Sequence, residues 1–169
     1  MGHSLRLNGL VDESIVDGPG LRYVLFTQGC PHGCPGCHNP ETHNSDGGYD
    51  SDTDIIFARF KENPLLSGMT FSGGEPFLQP EALSALAESV KAFGKHLVVY
   101  TGYTCECLAL KANENRAVRR LLELTDILID GPYVEGSRNL ELLYRGSDNQ
   151  RVLEKVDIQA IMQSVGNSL

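Results

Sequence analysis

The sequence Cys30-Pro31-His32-Gly33-Cys34-Pro35-Gly36-Cys37-His38-Asn39-Pro40 is the stretch from which the fold and chemistry of this chain can be inferred. Three cysteines fall within eight residues, and the prolines and glycines between them exclude a regular helix or strand. We therefore predict a loop whose bends turn three sulfurs toward one point. The loop follows the apolar run 21–27, which is typical of a buried strand. A strand that leads into a cysteine-rich loop can present a metal site on a rigid scaffold.

The spacing of the cysteines leaves three interpretations open. Cysteines that only pack need an apolar core, which prolines, glycines and two histidines do not provide. A structural zinc site could take His32 or His38 as its fourth ligand, but zinc ligands usually form two pairs that are well separated in sequence. An iron–sulfur cluster held by three cysteines keeps one iron open, and an open position is typical of a catalytic metal. We favour the cluster.

The rest of the chain predicts strands that alternate with helices. The predicted strands are at residues 5–11, 21–27, 69–71, 97–100, 127–129 and 151–154. The predicted helices are at residues 54–62, 81–93, 104–110, 113–124 and 158–165. This alternation indicates an α/β fold with a mostly parallel sheet of about five or six strands, which is too few for an eight-stranded barrel. Residues 1–169 are expected to form a single domain, with part of residues 1–4 a remnant of cloning.

The unusual motifs directly follow predicted strands. The cysteine loop comes after the second strand and Gly73-Gly74-Glu75-Pro76 after the third, whereas Thr101-Gly102-Tyr103 and Asp130-Gly131-Pro132 follow the fourth and the fifth. In parallel α/β folds, reactive groups gather beyond the carboxyl ends of the strands. We therefore expect a single site at one rim of the sheet.

Several residues of this rim have two possible roles. Gly73 and Gly74 would let backbone groups approach a ligand, although an ordinary strand-to-helix turn also uses glycines. Asp130 lies at the mouth of a buried strand and either caps a neighbouring amide or faces a ligand. Arg151 either binds a carboxylate or lies at the surface of a strand edge. Cys105 and Cys107 are either a second metal site or free thiols, and we predict free thiols.

Charge and composition limit the partners of the chain. The net charge is −8, with 22 acidic and 14 basic residues, which disfavours binding to the phosphate backbone of a nucleic acid. No apolar run has the length of a membrane span, and the N-terminus lacks the pattern of a signal segment. An odd number of cysteines, five, argues against a disulfide framework. We expect a cytoplasmic protein with neither a nucleic acid nor a membrane as its partner.

The spacing Cys-x3-Cys-x2-Cys resembles that of the radical S-adenosylmethionine (SAM) enzymes. Further blocks resemble the activating proteins of anaerobic (class III) ribonucleotide reductases, in the same order and over roughly residues 5–155. At Gly36 many members of the wider superfamily have an aromatic residue, whereas these activating proteins commonly have glycine. The blocks are Asp17-Gly18-Pro19-Gly20-Leu21-Arg22, Cys34-Pro35-Gly36-Cys37-His38-Asn39-Pro40-Glu41-Thr42, Ser72-Gly73-Gly74-Glu75-Pro76, Asp126-Ile127-Leu128-Ile129-Asp130-Gly131-Pro132-Tyr133 and Arg145-Gly146-Ser147-Asp148-Asn149-Gln150-Arg151.

This resemblance implies a partial, open (β/α) barrel that holds a [4Fe-4S] cluster on Cys30, Cys34 and Cys37. It implies that SAM binds the fourth iron through its amino and carboxylate groups. By resemblance the loop around Glu75 accepts the amino group, His38 contacts adenine, and Asp130 lies beside the methionine end, directly or through a bound cation; Glu75 could equally be a solvated loop acid. The residues assigned to the cofactor are His38, Asn39, Gly73, Gly74, Glu75, Thr101, Asp130, Asn149 and Arg151.

The implied function is that of an enzyme. Such an enzyme cleaves SAM reductively to methionine and a 5′-deoxyadenosyl radical, which removes hydrogen from a glycine of the large subunit of anaerobic ribonucleoside-triphosphate reductase. The resemblance also implies an electron donor such as a reduced flavodoxin. Two alternatives remain: a radical SAM enzyme with another target, either a pyruvate formate-lyase-like protein or a small molecule, and a non-enzymatic zinc-binding module.

Overall fold

Seven strands form a single sheet in the computed structural model, which describes residues 1–168. The strands are β1 (Ser4–Ser14), β2 (Arg22–Thr27), β3 (Tyr49–Asp52), β4 (Gly68–Gly73), β5 (His96–Tyr100), β6 (Ile127–Asp130) and β7 (Arg151–Glu154). The helices are α1 (Thr53–Lys61), α2 (Pro80–Ala92), α3 (Cys105–Glu114), α4 (Arg116–Leu124) and α5 (Lys155–Asn167). None of these helices combines the length with the hydropathy that a membrane crossing requires.

The sheet is mixed, with the order β3-β1-β2-β4-β5-β6-β7. Strands β2, β4, β5 and β6 are parallel, as the alternation of strands and helices predicted. The pairs β1–β2, β1–β3 and β6–β7 are antiparallel. The prediction of a mostly parallel sheet of five or six strands therefore holds only for its centre. The outer strands return without a crossover helix, and such connections give antiparallel pairs.

Strand β3 was missed by the sequence analysis, which predicted no strand at residues 49–52. Its sequence, Tyr49-Asp50-Ser51-Asp52, has no apolar alternation because it is an edge strand that pairs only with β1. Charged residues are common on such edges, where they discourage pairing with other chains. Ser4 pairs with Asp52, and His3 exchanges two hydrogen bonds with Thr53, so these first residues are integrated into the sheet.

One face of the sheet packs against the helices. Alternate residues of the parallel strands point into this layer and are fully buried, as in Tyr23 and Leu25 of β2 or Leu97 and Val99 of β5. Helix α2, which was predicted at residues 81–93, contributes Leu83, Leu86 and Val90 to the core. The helices and this face of the sheet therefore enclose the hydrophobic core.

The other face of the sheet is covered by a loop rather than by helices. The hydroxyl group of Thr70 donates a hydrogen bond to the carbonyl oxygen of Asp17 over 2.8 Å. A Cβ atom at Gly18 would lie 3.1 Å from the side chain of Val98. The connection between β1 and β2 therefore lies directly on β4 and β5.

Arg22 anchors this loop to the sheet. Its guanidinium is fully buried and donates hydrogen bonds to the carbonyl oxygens of Met69, His96 and Pro19 and to the hydroxyl of Thr70. Burial lowers the pKa of Arg22 to about 10, so the side chain stays charged at neutral pH. Arg22 is the first residue of β2, and its hydrogen bonds to Met69 and His96 link β2 to β4 and β5. These contacts lie at the end of the sheet opposite the cysteine loop.

We expect Arg22→Met to lower the free energy of unfolding by about 3 kcal/mol, because several buried carbonyl groups lose a charged donor. Urea denaturation followed by circular dichroism measures this change. The matched control is Arg59→Met, which removes an exposed ion pair with Asp12 and should lower the free energy of unfolding much less than Arg22→Met does. Equal losses in the two variants would contradict the anchoring role of Arg22.

Candidate functional site

The loops after β2, β4, β5 and β6 line one cavity of about 480 Å³ at the carboxyl ends of the parallel strands. The sequence analysis expected these loops to meet at one rim, and the structure brings them together there. The lining includes eight of the assigned residues, namely Cys30, Cys34, Cys37, His38, Asn39, Gly73, Gly74 and Thr101.

The cysteine loop owes its bends to glycine. Gly33 and Gly36 have φ angles of 57° and 73°, which side-chain-bearing residues rarely adopt. The amide of Cys37 donates to the carbonyl oxygen of Cys34 over 3.2 Å and closes the turn between them. The amide of Asn39 donates to the Cys37 sulfur at 3.4 Å. This sulfur therefore already has a backbone donor, an arrangement that tunes metal–thiolate centres.

Glu75 joins three of the rim loops. Its carboxylate is fully buried and accepts hydrogen bonds from the amide of Phe77 at 3.0 Å, the hydroxyl of Thr101 at 2.9 Å and the amide of Gly102 at 2.9 Å. His32 Nε2 lies 2.6 Å from the same carboxylate. Because Glu75 is fully buried it is not a solvated loop acid, and it does not belong to the cavity lining. Its expected contact with the cofactor stays a prediction.

The Glu75 carboxylate contacts the cysteine loop through the imidazole of His32. The imidazole packs edge-on against Tyr103, with ring centroids 4.5 Å apart. A Cβ atom at Gly102 would lie 2.4 Å from the imidazole, so the ring lies directly over that backbone. Because His32 stands between Cys30 and Cys34, these contacts fix the cysteine loop to the ends of β4 and β5.

Gly73 and Gly74 bring two backbones into close contact. Gly73 has a φ angle of 96°, and a Cβ atom there would lie 2.4 Å from the amide nitrogen of Thr27. A Cβ atom at Gly74 would lie 2.2 Å from the carbonyl oxygen of Gly29. Both glycines also line the cavity, so their backbone groups are available to a ligand. Close packing alone is sufficient to require glycine here, and the ligand contact stays a prediction.

His38 and Tyr133 form an aromatic pair on the cavity wall. Their ring centroids are 5.2 Å apart, and both residues belong to the lining. The sequence analysis proposed His38 as the contact to adenine but did not single out Tyr133. Both rings are apolar surfaces on which a purine could stack.

Asp130 and Arg151 lie outside the cavity lining and bind each other. Asp130 is buried and accepts a hydrogen bond from the amide of Cys105 at 2.7 Å, so it caps the start of α3, the first of its two possible roles. Arg151 also pairs with Glu106, and the hydrogen bonds that its guanidinium donates to Asp130 and then to Glu106 raise the pKa of Arg151. Asn149 is exposed and donates to the carbonyl oxygen of Pro132. A contact between these three residues and the cofactor stays a prediction.

Comparisons with known proteins identify the family. A family model described as a 4Fe-4S single cluster domain matches residues 16–153. The anaerobic ribonucleoside-triphosphate reductase-activating protein of Salmonella typhimurium is 35% identical over 157 residues, or 88% of this chain and 97% of the relative. Its namesake from Enterobacteria phage T4 is 36% identical over 148 residues, or 84% of this chain and 89% of the relative.

The chain belongs to the family of anaerobic ribonucleoside-triphosphate reductase-activating proteins.

A pyruvate formate-lyase-activating enzyme of Staphylococcus epidermidis is also similar to this member of the reductase-activating family. It is 34% identical over 155 residues, which are 88% of this chain and 60% of that enzyme. The predicted resemblance to reductase-activating proteins is confirmed, and so is the prediction that the chain is an activating enzyme.

The thiols of this reductase-activating family member fit an iron–sulfur cluster. Cys30, Cys34 and Cys37 are free and partly exposed on one cavity wall. Burial raises the pKa of Cys30, although the backbone amides of His32 and Gly33 oppose that effect by bonding to the sulfur. Among residues 1–168 no group of three histidine, cysteine or acidic side chains is arranged to hold a single metal ion. A cluster with several irons binds each thiolate at a different iron.

Cys105 and Cys107 form no disulfide bond in this family member, and their assignment as free thiols rather than a second metal site stays a prediction. Cys105 is buried in the core under α3, and burial, together with the nearby Asp130, raises its pKa to about 12. A thiol of this kind is unreactive at neutral pH and behaves as a small apolar side chain. It does not belong to the cavity lining.

The role of His32 was missed by the sequence analysis, which considered it only as a fourth zinc ligand. Its partner Glu75 was considered only for a ligand or for solvent. The two residues are 43 positions apart, and no local pattern indicates that they meet. The one indication in the sequence that these residues could meet is their position: His32 follows β2 and Glu75 follows β4, and these two strands are parallel neighbours in the sheet.

We expect Glu75→Gln to lower the free energy of unfolding by about 1–3 kcal/mol, because the new amide group would face buried donors that now bind a carboxylate oxygen. The variant should also bind less iron after reconstitution, since the cysteine loop loses its anchor. Urea denaturation and iron analysis measure the two effects.

The matched control is Glu41→Gln, which changes an exposed acid close to the cysteine loop and should shift stability by less than about 0.5 kcal/mol. If Glu75→Gln matched this control in stability and iron content, the anchoring role of Glu75 would be wrong.

Proposed function

We propose that this protein is a radical SAM activase that generates the glycyl radical of anaerobic ribonucleoside-triphosphate reductase. The observation that carries the proposal is the placement of three free cysteine thiols on one cavity wall, beside the glycine pair that ends β4. The names of the relatives from Salmonella typhimurium and phage T4 supply the target. We also propose that the mixed sheet is the partial, open (β/α) barrel of the radical SAM type.

In this proposal Cys30, Cys34 and Cys37 hold a [4Fe-4S] cluster, and SAM occupies the cavity beside it. When bound, the cluster would pass one electron from an external reductant to SAM, and cleavage of SAM would give methionine and a 5′-deoxyadenosyl radical that would take hydrogen from a glycine Cα of the partner. The protein orients these groups: Glu75 and His32 hold the cysteine loop, and the backbone at Gly73 and Gly74 faces the cavity.

The rim of the cavity supports a protein as the substrate. Val16 and Leu142 line the cavity, and exposed apolar side chains stand next to them in the chain at Ile15 and Leu143. Both neighbours are at least 66% exposed. Apolar side chains grouped at the mouth of a cavity are typical of a surface that binds another protein. We propose that the glycine-bearing loop of the reductase enters the cavity across this rim.

A second candidate target is a pyruvate formate-lyase-like protein. The observation in its favour is the 34% identity to the activating enzyme of Staphylococcus epidermidis. The two candidates use the same cofactor chemistry and differ only in the partner, so an experiment with both partners separates them.

The experiment is an anaerobic assay with reconstituted protein, a reductant such as reduced flavodoxin, SAM and either partner. We expect an electron paramagnetic resonance signal of a glycyl radical with the anaerobic reductase and not with pyruvate formate-lyase. The reverse pattern would favour the second candidate. Absence of 5′-deoxyadenosine with either partner would contradict the whole proposal.

The cysteines provide the controls for this assay. Cys30→Ala, Cys34→Ala and Cys37→Ala should each abolish both cluster binding and SAM cleavage, because each removes a proposed iron ligand. Cys107→Ala removes a thiol outside the cavity and should retain both. Retained cleavage in any of the first three variants would show that the ligand assignment is wrong.

We expect the double variant Ile15→Ser, Leu143→Ser to bind the reductase roughly tenfold more weakly, because two exposed apolar contacts are lost. Cleavage of SAM in the absence of the partner should be unchanged. The dissociation constant of the activase–reductase complex is the quantity to measure. Leu65→Ser changes an exposed leucine before β4, at the opposite end of the sheet, and should leave this constant unchanged. An equal effect of Leu65→Ser would contradict docking at the rim.

A further inference from the structure

Arg145 is the one arginine or lysine in the cavity lining. The arginines at positions 6, 59, 120 and 151 each pair with a carboxylate. Within residues 1–168 Arg145 has no such pair, and its Nη1 donates only to the carbonyl oxygen of Gln150 at 3.2 Å. Arg145 therefore lies on the cavity wall without an ion pair among residues 1–168, and Asp17, the one acidic residue among the described residues of the lining, accepts a hydrogen bond from Ser14.

The unpaired part of Arg145 is the edge that binds carboxylates. Its Nε atom is buried and has no hydrogen-bond partner in the part of the chain that the structure describes. Buried donors without a partner are rare and costly in native proteins. Nε and Nη2 form one side of the guanidinium, and two parallel N–H groups on such a side match the two oxygens of a carboxylate. Among residues 1–168 only Nη1 has a hydrogen-bond partner, so this edge remains for a ligand.

The loop that carries Arg145 is braced against the sheet. The Gln150 side chain accepts hydrogen bonds from the amides of Gly146 and Ser147 and donates one to the carbonyl oxygen of Gly131, just after β6. Tyr144, directly before the arginine, has a φ angle of 64° and is the one non-glycine residue with positive φ among residues 1–168. Strained backbone of this kind is concentrated at functional sites, where it sets the direction of a side chain.

We propose that Arg145 binds the carboxylate of the methionine moiety of SAM. This inference rests on the proposed function and adds to it the residue that orients the cofactor. The sulfonium of SAM is cationic and is repelled by a guanidinium, whereas the carboxylate is the anionic group of SAM and is therefore the group that Arg145 attracts. Arg151, which resemblance suggested for a place near the cofactor, already has Asp130 and Glu106 as its partners.

The test compares two ligands that differ only in this carboxylate. Binding of SAM and of decarboxylated SAM is measured by anaerobic equilibrium dialysis, with reconstituted wild-type protein, Arg145→Gln and Arg145→Lys. We expect Arg145→Gln to weaken SAM binding about 10- to 100-fold, the loss expected for a charged hydrogen-bonded pair, and to leave the decarboxylated ligand unaffected. Arg145→Lys should restore part of the affinity for SAM, because it restores the charge without the paired donors.

The matched control is Arg138→Gln, which neutralises an exposed arginine outside the cavity lining and should bind both ligands as the wild type does. Iron content and circular dichroism establish that each variant is folded. Unchanged SAM binding in Arg145→Gln, or an equal loss for both ligands, would overturn the assignment. If the wild type still forms the glycyl radical in that case, the proposed function stands; if the wild type does not bind SAM, both proposals fail.

Discussion

The rim of this protein depends on one buried carboxylate. Glu75 lies beyond the end of β4 and accepts hydrogen bonds from the loop after β5, from its own loop and from the histidine between the first two cysteines. A buried carboxylate is tolerated only when such donors surround it, and each donor fixes the position of one segment. Thr101, Gly102 and His32 therefore keep fixed positions relative to each other. The cysteine loop, which has no regular secondary structure, obtains its rigidity from this group.

The parts of the site that could be predicted from the sequence are those whose motifs follow directly after a strand. Apolar periodicity located the four parallel strands, and their carboxyl ends indicated which motifs would meet. The pairings beyond those ends could not be predicted, because His32 with Glu75 and Arg151 with Asp130 join residues at least 21 positions apart. Nothing local distinguishes Arg145 from Arg151 either. Only the folded chain shows that Arg151 has two acidic partners, whereas Arg145 has none among residues 1–168.

The glycine pair Gly73-Gly74 is required by backbone packing and does not by itself indicate a ligand site. Gly73 and Gly74 were interpreted as positions at which a ligand approaches the backbone. The structure shows that the backbones of Thr27 and Gly29 already occupy the space that a side chain would need. A protein with this sheet would require both glycines even if nothing bound at the rim. The strongest sequence indication of the cofactor site is therefore the set of thiols rather than the glycine pair.

The two outermost strands of the sheet do not pair with each other. Because β3 and β7 are free edges, further strands can be added on either side without altering the four central ones. The match covers only 60% of the Staphylococcus epidermidis relative, so that enzyme has additional residues from which such strands could form. An unclosed sheet can thus vary in size at its margins across a family while a constant centre holds the reactive groups.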